Sequence, residues 1–337
     1  MTFEVLRDEL IQPWRDAVER TAITPGPAGG PEYMATADRA LGEAYVLHDG
    51  DLFMPFIKAR TSAARFFKTD VYEGMQTNSF LGIDSLNDRA LAALEELPKR
   101  AMVLLHLPVE TYQGFSERLS TKGFQPYQEF TYHKVLLSDS FEEWFQRPSV
   151  KRILIRKATK NGVTVSLGGA ELLDDFYKMY LKSFERWQGQ RKALSHHSRE
   201  RFERMFTIPE SGSAICLAHF EGRVIAAGLV CAYNRTAAGL YGGIDYKQRS
   251  NKPSNLLYAE LLHKFVKRGV REYNMGTSGG FKSVESFKES LGAQKFTSIV
   301  LCRHRFPRLQ RLLVSSESDQ SVPDGQLDAD QSNSEDE

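Results

Sequence analysis

Lys288 follows a run of glycines, an order of residues that can bring positive charge up to an oxygen atom. The stretch Tyr273-Asn-Met-Gly-Thr-Ser-Gly-Gly-Phe-Lys-Ser-Val-Glu-Ser-Phe-Lys-Glu-Ser-Leu-Gly292 reads as a strand end, a loop holding Gly276, Gly279 and Gly280, and a short helix. That helix carries Phe287 and Lys288 and is stopped by Gly292. A glycine-rich loop entering a helix N-terminus can present backbone N–H groups to an anion or a developing oxyanion. A lysine on the helix adds a full positive charge. The same residues also suit a plain strand-to-helix turn with a solvated lysine, so the surrounding chain has to decide.

Other residues compete for attention. Arg152, Arg156 and Lys160 fall on an i, i+4, i+8 stripe with Lys151 and Lys157 beside it. Like charges at that spacing repel by about a few tenths of a kcal/mol per pair, which a nearby anion relieves. A solvated basic face is the other reading. His196-His197 has no carboxylate or cysteine at ligand spacing and reads as a solvated helix start. Cys216, Cys231 and Cys302 form an odd, widely spaced set, read as small buried thiols. No disulfide framework or metal site is expected, and no Ser-His-Asp or Gly-x-Ser-x-Gly pattern argues for a covalent route.

The elements that must hold these residues alternate between strand and helix periods. Residues 4–20 read as a helix, and the Pro/Gly-rich run at 24–31 as a loop. The runs Ala44–His48 and Leu52–Ile57 read as a hairpin around Asp49-Gly50. After a less legible stretch come a helix at Asp88–Leu97, a strand at Ala101–His106, a helix at Val109–Lys122 and a strand at Gln128–Leu137. Two short helices, from Ser140 and over Ser149–Lys160, bridge to the second half. There the order is strand, two helices, three strands, helix, strand, helix, strand, the last ending at Cys302.

Composition suits a soluble globular chain of two domains: 337 residues, 41% hydrophobic and 26% charged. No apolar run approaches the ~18 residues of a membrane span. The opening residues lack the basic-then-apolar order of a signal peptide, which predicts a cytoplasmic location. The net charge of +1 hides an asymmetry. Residues 315–337 hold eight acidic residues and no lysine or arginine, so residues 1–314 carry a net +9. The acidic end reads as disordered, either solubilising the chain or competing for its basic surface. A basic body suits an anionic partner such as RNA, a nucleotide or a phosphorylated substrate.

The element order of the second half, partly repeated in the first, resembles tandem GNAT domains, and specific motifs resemble the Fem family of non-ribosomal peptidyltransferases and FemAB-like GNAT acetyltransferases. The motifs are Arg152-x-x-x-Arg156-Lys-Ala-x-Lys-x-Gly-Val163, Phe176-Tyr-x-x-Tyr-x-x-Ser-x-Glu-Arg186-x-x-Gly189, Leu240-Tyr-Gly-Gly-Ile244, and the glycine loop with Phe287-Lys288. They span about residues 150–302, and the first half is similar only in topology. The resemblance implies an α/β fold of tandem GNAT-like domains with mixed central sheets flanked by helices. Its divisions are an N-terminal domain over 1–138, a C-terminal domain over 139–305 and an acidic tail over 306–337.

It also implies direct attack of an amine on an activated ester or thioester, with aminoacyl-tRNA or acyl-CoA as co-substrate and no permanently bound cofactor. Lys288 is similar to the family lysine near the acyl carbonyl, with Tyr241 as its catalytic companion. Arg186, Phe287, Gly279, Gly280 and Arg156 are the implied substrate-binding set. Tyr241 also suits ordinary core, and Arg186 a favourable helix C-terminal cation. Acetyl-CoA-binding members usually place (Gln/Arg)-x-x-Gly-x-(Gly/Ala) before the helix that follows the central strand. Here that place reads Arg249-Ser-Asn-Lys252-Pro-Ser254, so a lysine replaces the first glycine and Pro253 has no N–H to give. Arg249, Lys252 and Ser254 are the residues left to hold a phosphate. This leans towards tRNA, and a nucleotide-linked precursor is a further anionic candidate. The family's aspartate before the glycine loop is Asn274 here. A non-catalytic GNAT-like module that binds a nucleotide or RNA is the alternative.

Overall fold

The computed structural model describes residues 1–20, 30–36, 42–59, 70–74, 88–188, 197–207, 212–233 and 235–304. The first half runs β1 (Thr2–Val5), α1 (Ile11–Arg20), α2 (Pro31–Ala35), β2 (Gly42–Asp49), β3 (Leu52–Ala59), β4 (Val71–Gly74), α3 (Asp88–Ala93), β5 (Met102–Pro108), α4 (Val109–Thr121) and β6 (Gln125–Leu136). Two short helices, α5 (Phe141–Phe145) and α6 (Arg152–Lys160), lead into the second half. It runs β7 (Thr164–Gly168), α7 (Leu173–Gln188), α8 (Arg199–Thr207), β8 (Ser213–Phe220), β9 (Arg223–Tyr233), β10 (Thr236–Ile244), α9 (Pro253–Lys267), β11 (Glu272–Thr277), α10 (Lys282–Glu289) and β12 (Gln294–Arg303). A 3-10 turn over Tyr246–Asn251 joins β10 to α9.

The second half follows its sequence pattern element for element. The first half departs in several places. Helix α2 forms over Pro31–Ala35 where no helix is expected, the helix expected to reach Leu97 ends at Ala93, and residues 24–29 of the expected loop lie outside the described residues. The helix expected from residue 4 begins only at Ile11, because Thr2–Val5 pairs with β2 as a strand. The illegible stretch contains the four-residue strand β4. Runs of four residues are too short for a period of two to be told from one of 3.6. The Asp49-Gly50 hairpin forms as read, with Gly50 at φ +61°.

The strands make one twelve-stranded sheet in the order β1-β2-β3-β4-β5-β12-β6-β11-β10-β9-β8-β7. Among the described strands only the β4–β5 and β10–β11 pairs are parallel. The two halves exchange their last strands: β12 lies between β5 and β6, and β6 lies between β12 and β11. An ion pair from buried Lys134 Nζ to half-buried Glu272 Oε1, at 2.8 Å, joins β6 to β11 across the halves. The sequence boundary at 138/139 is therefore crossed by paired strands in both directions.

The second half buries apolar side chains on both faces of its sheet. On one face α9 brings Leu257, Leu261, Leu262 and Phe265 against Cys216, Ala218 and Val230. On the other, Phe176, Met179 and Tyr180 of α7 and Phe202 of α8 pack against Ile215, Leu217 and Leu229. All three cysteines are buried free thiols, and burial pushes Cys216 and Cys302 up to about 12. Among the described residues no helix is long and apolar enough to cross a membrane.

Candidate active site

Lys288 is buried, with 5% of its surface exposed. Its Nζ donates to the carbonyl oxygens of Gly276 and Thr277, both at 2.8 Å. Burial lowers its pKa to about 8, and no carboxylate among the described residues offsets the charge. An ammonium in such a place is held by backbone dipoles alone.

The surrounding elements fix the end of the Lys288 helix from several sides. Trp144 of α5 donates its indole N–H to Leu291 O at 3.0 Å, and the Lys151 N–H reaches Ser290 O at 2.8 Å. Asn255 of α9 donates to Ser290 Oγ at 3.1 Å, and that hydroxyl donates to Phe287 O at 2.6 Å. Gly292, at φ +75°, lies so close to Ser149 and Val150 that a Cβ there would sit 3.1 Å from each side chain. The end of α10 is thus clamped between the bridging segment and α9.

In the loop before α10, Gly276, Gly279 and Gly280 all take positive φ (+70°, +59° and +81°). The Gly276 N–H donates to the side-chain oxygen of Asn274 at 2.8 Å, so Asn274 closes the first turn of the loop. Sequence reading missed His133. It comes from β6 in the first half, is 1% exposed, and its Nδ1 faces Ser278 Oγ at 3.4 Å. Burial, and then the neighbouring Lys288 charge, lower its pKa, so the ring is neutral at pH 7. Nothing along the chain marks this residue, because only the strand exchange carries it to the loop. A ring nitrogen of His133 lies within 4.8 Å of carboxylate oxygens of Glu285 and Glu289. Lys295 bonds to both carboxylates, at 3.3 Å in the case of Glu289, so an ammonium already fills the place a cation would take.

The parallel pair β10–β11 opens beside this loop. It is in register only over Thr236–Ala238 and Glu272–Asn274, and β10 bulges between Gly239 and Tyr241. Buried Tyr273 directs its hydroxyl at Gly239, where a Cβ would stand 2.6 Å away. Phe287 and Tyr258 meet edge to face at 5.5 Å, and Tyr258 lies 6.1 Å from Tyr273. These rings connect the residue next to Lys288 with the opening. Burial raises both tyrosines, Tyr258 to about 12, and keeps them protonated.

Tyr241 belongs to a different cluster. It packs among the α7–α8 side chains, with rings of His197, Phe202 and Tyr180 at 4.9, 5.1 and 5.7 Å. Phe287 packs on the α9 face. His197 is half-buried, its Nδ1 3.2 Å from Arg201 Nη1 and its backbone N–H donated to Tyr180 Oη at 3.1 Å. The solvated helix start expected there is corrected for His197, because α7 and α8 close over it. His196, Gly189 and the acidic 306–337 segment lie outside the described residues.

The glycines after Tyr241 explain themselves by packing. A Cβ on Gly243 would stand 2.6 Å from Met179 O of α7, whereas one on Gly242 would meet Tyr258 Oη at an ordinary 3.5 Å. Strand β10 is pressed against the α7 backbone at Gly243, where Ser183 Oγ accepts the Ile244 N–H at 3.0 Å.

Two of the expected binding residues converge. The guanidinium carbons of Arg186 and Arg249 lie 5.0 and 4.2 Å from the ring centroid of exposed Tyr246. Lys252 precedes α9 at φ +55°, a left-handed backbone where glycine is favoured. The Asn255 N–H is spent on Lys252 O and the Lys252 N–H on Arg249 O, so with Pro253 in place the loop offers few donors to a phosphate. Ser254 is half-buried on the first turn. Arg156 stands exposed on α6, whose C-terminal Asn161 donates to Asn251 Oδ1 at 3.1 Å and ties that helix to the same turn.

Residues 147–289 match the family model of the acetyltransferase (GNAT) domain. The chain also superposes along nearly its whole length on a crystal structure of FemX (TM-score 0.66, 13% identity, 93% of this chain and 100% of that one). The chain has a tandem GNAT fold. Two further solved structures share it. The L-PGS protein from Bacillus licheniformis has TM-score 0.57 and 14% identity, over 93% of this chain and 97% of its own. A tandem GNAT protein from the clavulanic acid biosynthesis pathway has TM-score 0.51 and 12% identity, over 89% and 97%. No curated protein matches the sequence.

Proposed function

We propose that this protein is an acyltransferase that moves an aminoacyl or acyl group from an activated ester or thioester directly to an amine. The carrying observation is the Lys288 ammonium, buried beside the β10–β11 opening with two of its three N–H groups on loop carbonyls. Its third N–H meets the carbonyl oxygen of the donor as that oxygen gains charge. A preorganised donor in a water-poor site lowers such a barrier by several kcal/mol, on the order of those measured at oxyanion holes. The amine then attacks as a neutral nucleophile with modest base help.

Aminoacyl-tRNA is the favoured donor and acyl-CoA the second. What supports this order is the β10–α9 turn, where Lys252 occupies a left-handed position, Pro253 lacks an N–H, and neighbouring amides are already bonded. Arg186, Arg249 and Lys252 offer side-chain cations to a phosphodiester instead. The reaction is assigned to the cytoplasm. Titration of the protein with charged tRNA and with acyl-CoA, read as a rise in Tm, separates the two donors. The bonds of Lys288 to Gly276 and Thr277 also favour a second reading, a binding module in which the lysine braces the loop. Lys288→Ala discriminates: transfer is lost with donor binding kept if the residue is catalytic, and full turnover in the variant rules the assignment out.

A further inference from the structure

The most exposed large apolar side chain among the described residues is Ile153, at 74%. A single exposed isoleucine is ordinary, but its surroundings are not. Residues 144–170 hold six basic residues (Arg147, Lys151, Arg152, Arg156, Lys157 and Lys160) and no acidic one. On α6 the buried positions are Ile155 and Ala158, which hold the helix against the second-half core. At 100° per residue, Arg152, Arg156, Lys160, Ile153 and Lys157 follow one another around the opposite side, with Ile153 near its middle. Arg152 bonds to Gln146, whereas Lys151, Arg156, Lys157 and Lys160 have no ion-pair partner among the described residues.

We infer that this face of α6 docks on an anionic phospholipid bilayer, with the helix lying flat, its cations among the headgroup phosphates and Ile153 inserted at the headgroup–acyl boundary. Cations alone would serve RNA equally well. An aliphatic side chain in the centre of the face gains nothing from a phosphodiester backbone, yet gains burial in a bilayer surface. Each lysine or arginine near an anionic surface strengthens partitioning by about fivefold, and the effect decays within a Debye length. The inference stands apart from the proposed acyl transfer, since none of its test positions touches the Lys288 site.

The test is co-sedimentation of the full chain with 100 nm vesicles of equimolar phosphatidylglycerol and phosphatidylcholine, against phosphatidylcholine alone. Binding is expected to the anionic vesicles only and to disappear in 0.5 M NaCl. Lys157→Ala/Lys160→Ala is expected to weaken it roughly 30-fold, from two cations at about fivefold each. Ile153→Ser is expected to weaken it about tenfold, most of an isoleucine's burial. Both variants alter exposed positions, and unchanged Tm checks that they fold. Absence of binding to the anionic vesicles at low salt, or binding indifferent to Ile153→Ser, overturns the inference. Retention of a hairpin RNA that depends on Lys157 and Lys160 but not on Ile153, without vesicle binding, assigns the face to nucleic acid instead.

Discussion

His133, on the last strand of the first half, meets Ser278, in the glycine-rich loop of the second, with Nδ1 and Oγ 3.4 Å apart. The loop that carries the candidate chemistry is therefore backed by a side chain from the other half. His133 is held neutral by burial and by Lys288, and its Nε2 has no hydrogen-bond partner among the described residues. A histidine whose folded pKa is depressed binds fewer protons than the unfolded chain between the two pKa values, so stability falls as pH drops below about 6.5. His133→Phe should flatten that acid limb. Urea midpoints at pH 7.5 and pH 5.0 test it, and an equal loss in wild type and variant would show that the ring carries no such penalty.

Lys288 makes the matching statement at alkaline pH. Its folded pKa is about 8 against an ordinary 10.5, so between these values the unfolded state binds the extra proton. Stability attributable to this group therefore rises from pH 8 to pH 10.5, relieving a penalty of roughly 3 kcal/mol at about 1.4 kcal/mol per unit. Catalysis has the opposite sign. If the ammonium stabilises the oxyanion, turnover falls as pH passes 8 while the fold tightens. Lys288→Met should abolish transfer and remove the alkaline gain in the urea midpoint. Turnover that keeps rising above pH 9 with a neutral-amine acceptor would deny the lysine its charge-stabilising role.

The pair Gly242 and Gly243 offers a test of local packing. A methyl group on Gly243 runs into the α7 backbone at Met179 O, 2.6 Å away, and into Ser183 Oγ at 2.9 Å. Overpacking of this kind costs about 1–3 kcal/mol, because the opposing atom is backbone. At Gly242 the nearest atoms stand at 3.5 Å, an ordinary contact. Thermal unfolding should lower Tm by several degrees in Gly243→Ala and barely move it in Gly242→Ala. Similar values for the two would mean that α7 shifts without resistance.

Much of the second half was legible because its helices are long and its strands bounded by turns. Glu221-Gly222, Gly269 and Gly292 all adopt the positive φ that ends their elements. Lys288 was legible as a candidate because glycines at 276, 279 and 280 precede it. Its burial was not, since nothing local shows that α5, α6 and α9 close around its helix. Tyr241 and Lys288 are joined by family resemblance, yet their packing lies with different helices. His133 was invisible for the same reason that the boundary at 138/139 divides the sequence and not the sheet. Pairing between strands more than a hundred residues apart leaves no periodic trace.

That exchange of strands has a consequence for fragments. Strand β12 supplies Ile299 and Leu301 to the first-half core beside Val103, Leu105 and Leu107, and Ser298 donates to Leu107 O at 2.9 Å. Without it, β5 loses its antiparallel partner over Val103–Pro108, and β6 loses one over Gln125–Lys134. A fragment of residues 1–138 then exposes two long unpaired strand edges that other chains can pair with. It should express as aggregate or as a species without a cooperative melt. The complementary fragment, 139–304, should fail likewise, since β11 would lose β6. Co-expression of the two should restore a soluble complex with a single transition, because the exchanged strands then find their places. A soluble, cooperatively folding 1–138 fragment would show instead that the first half is complete without β12.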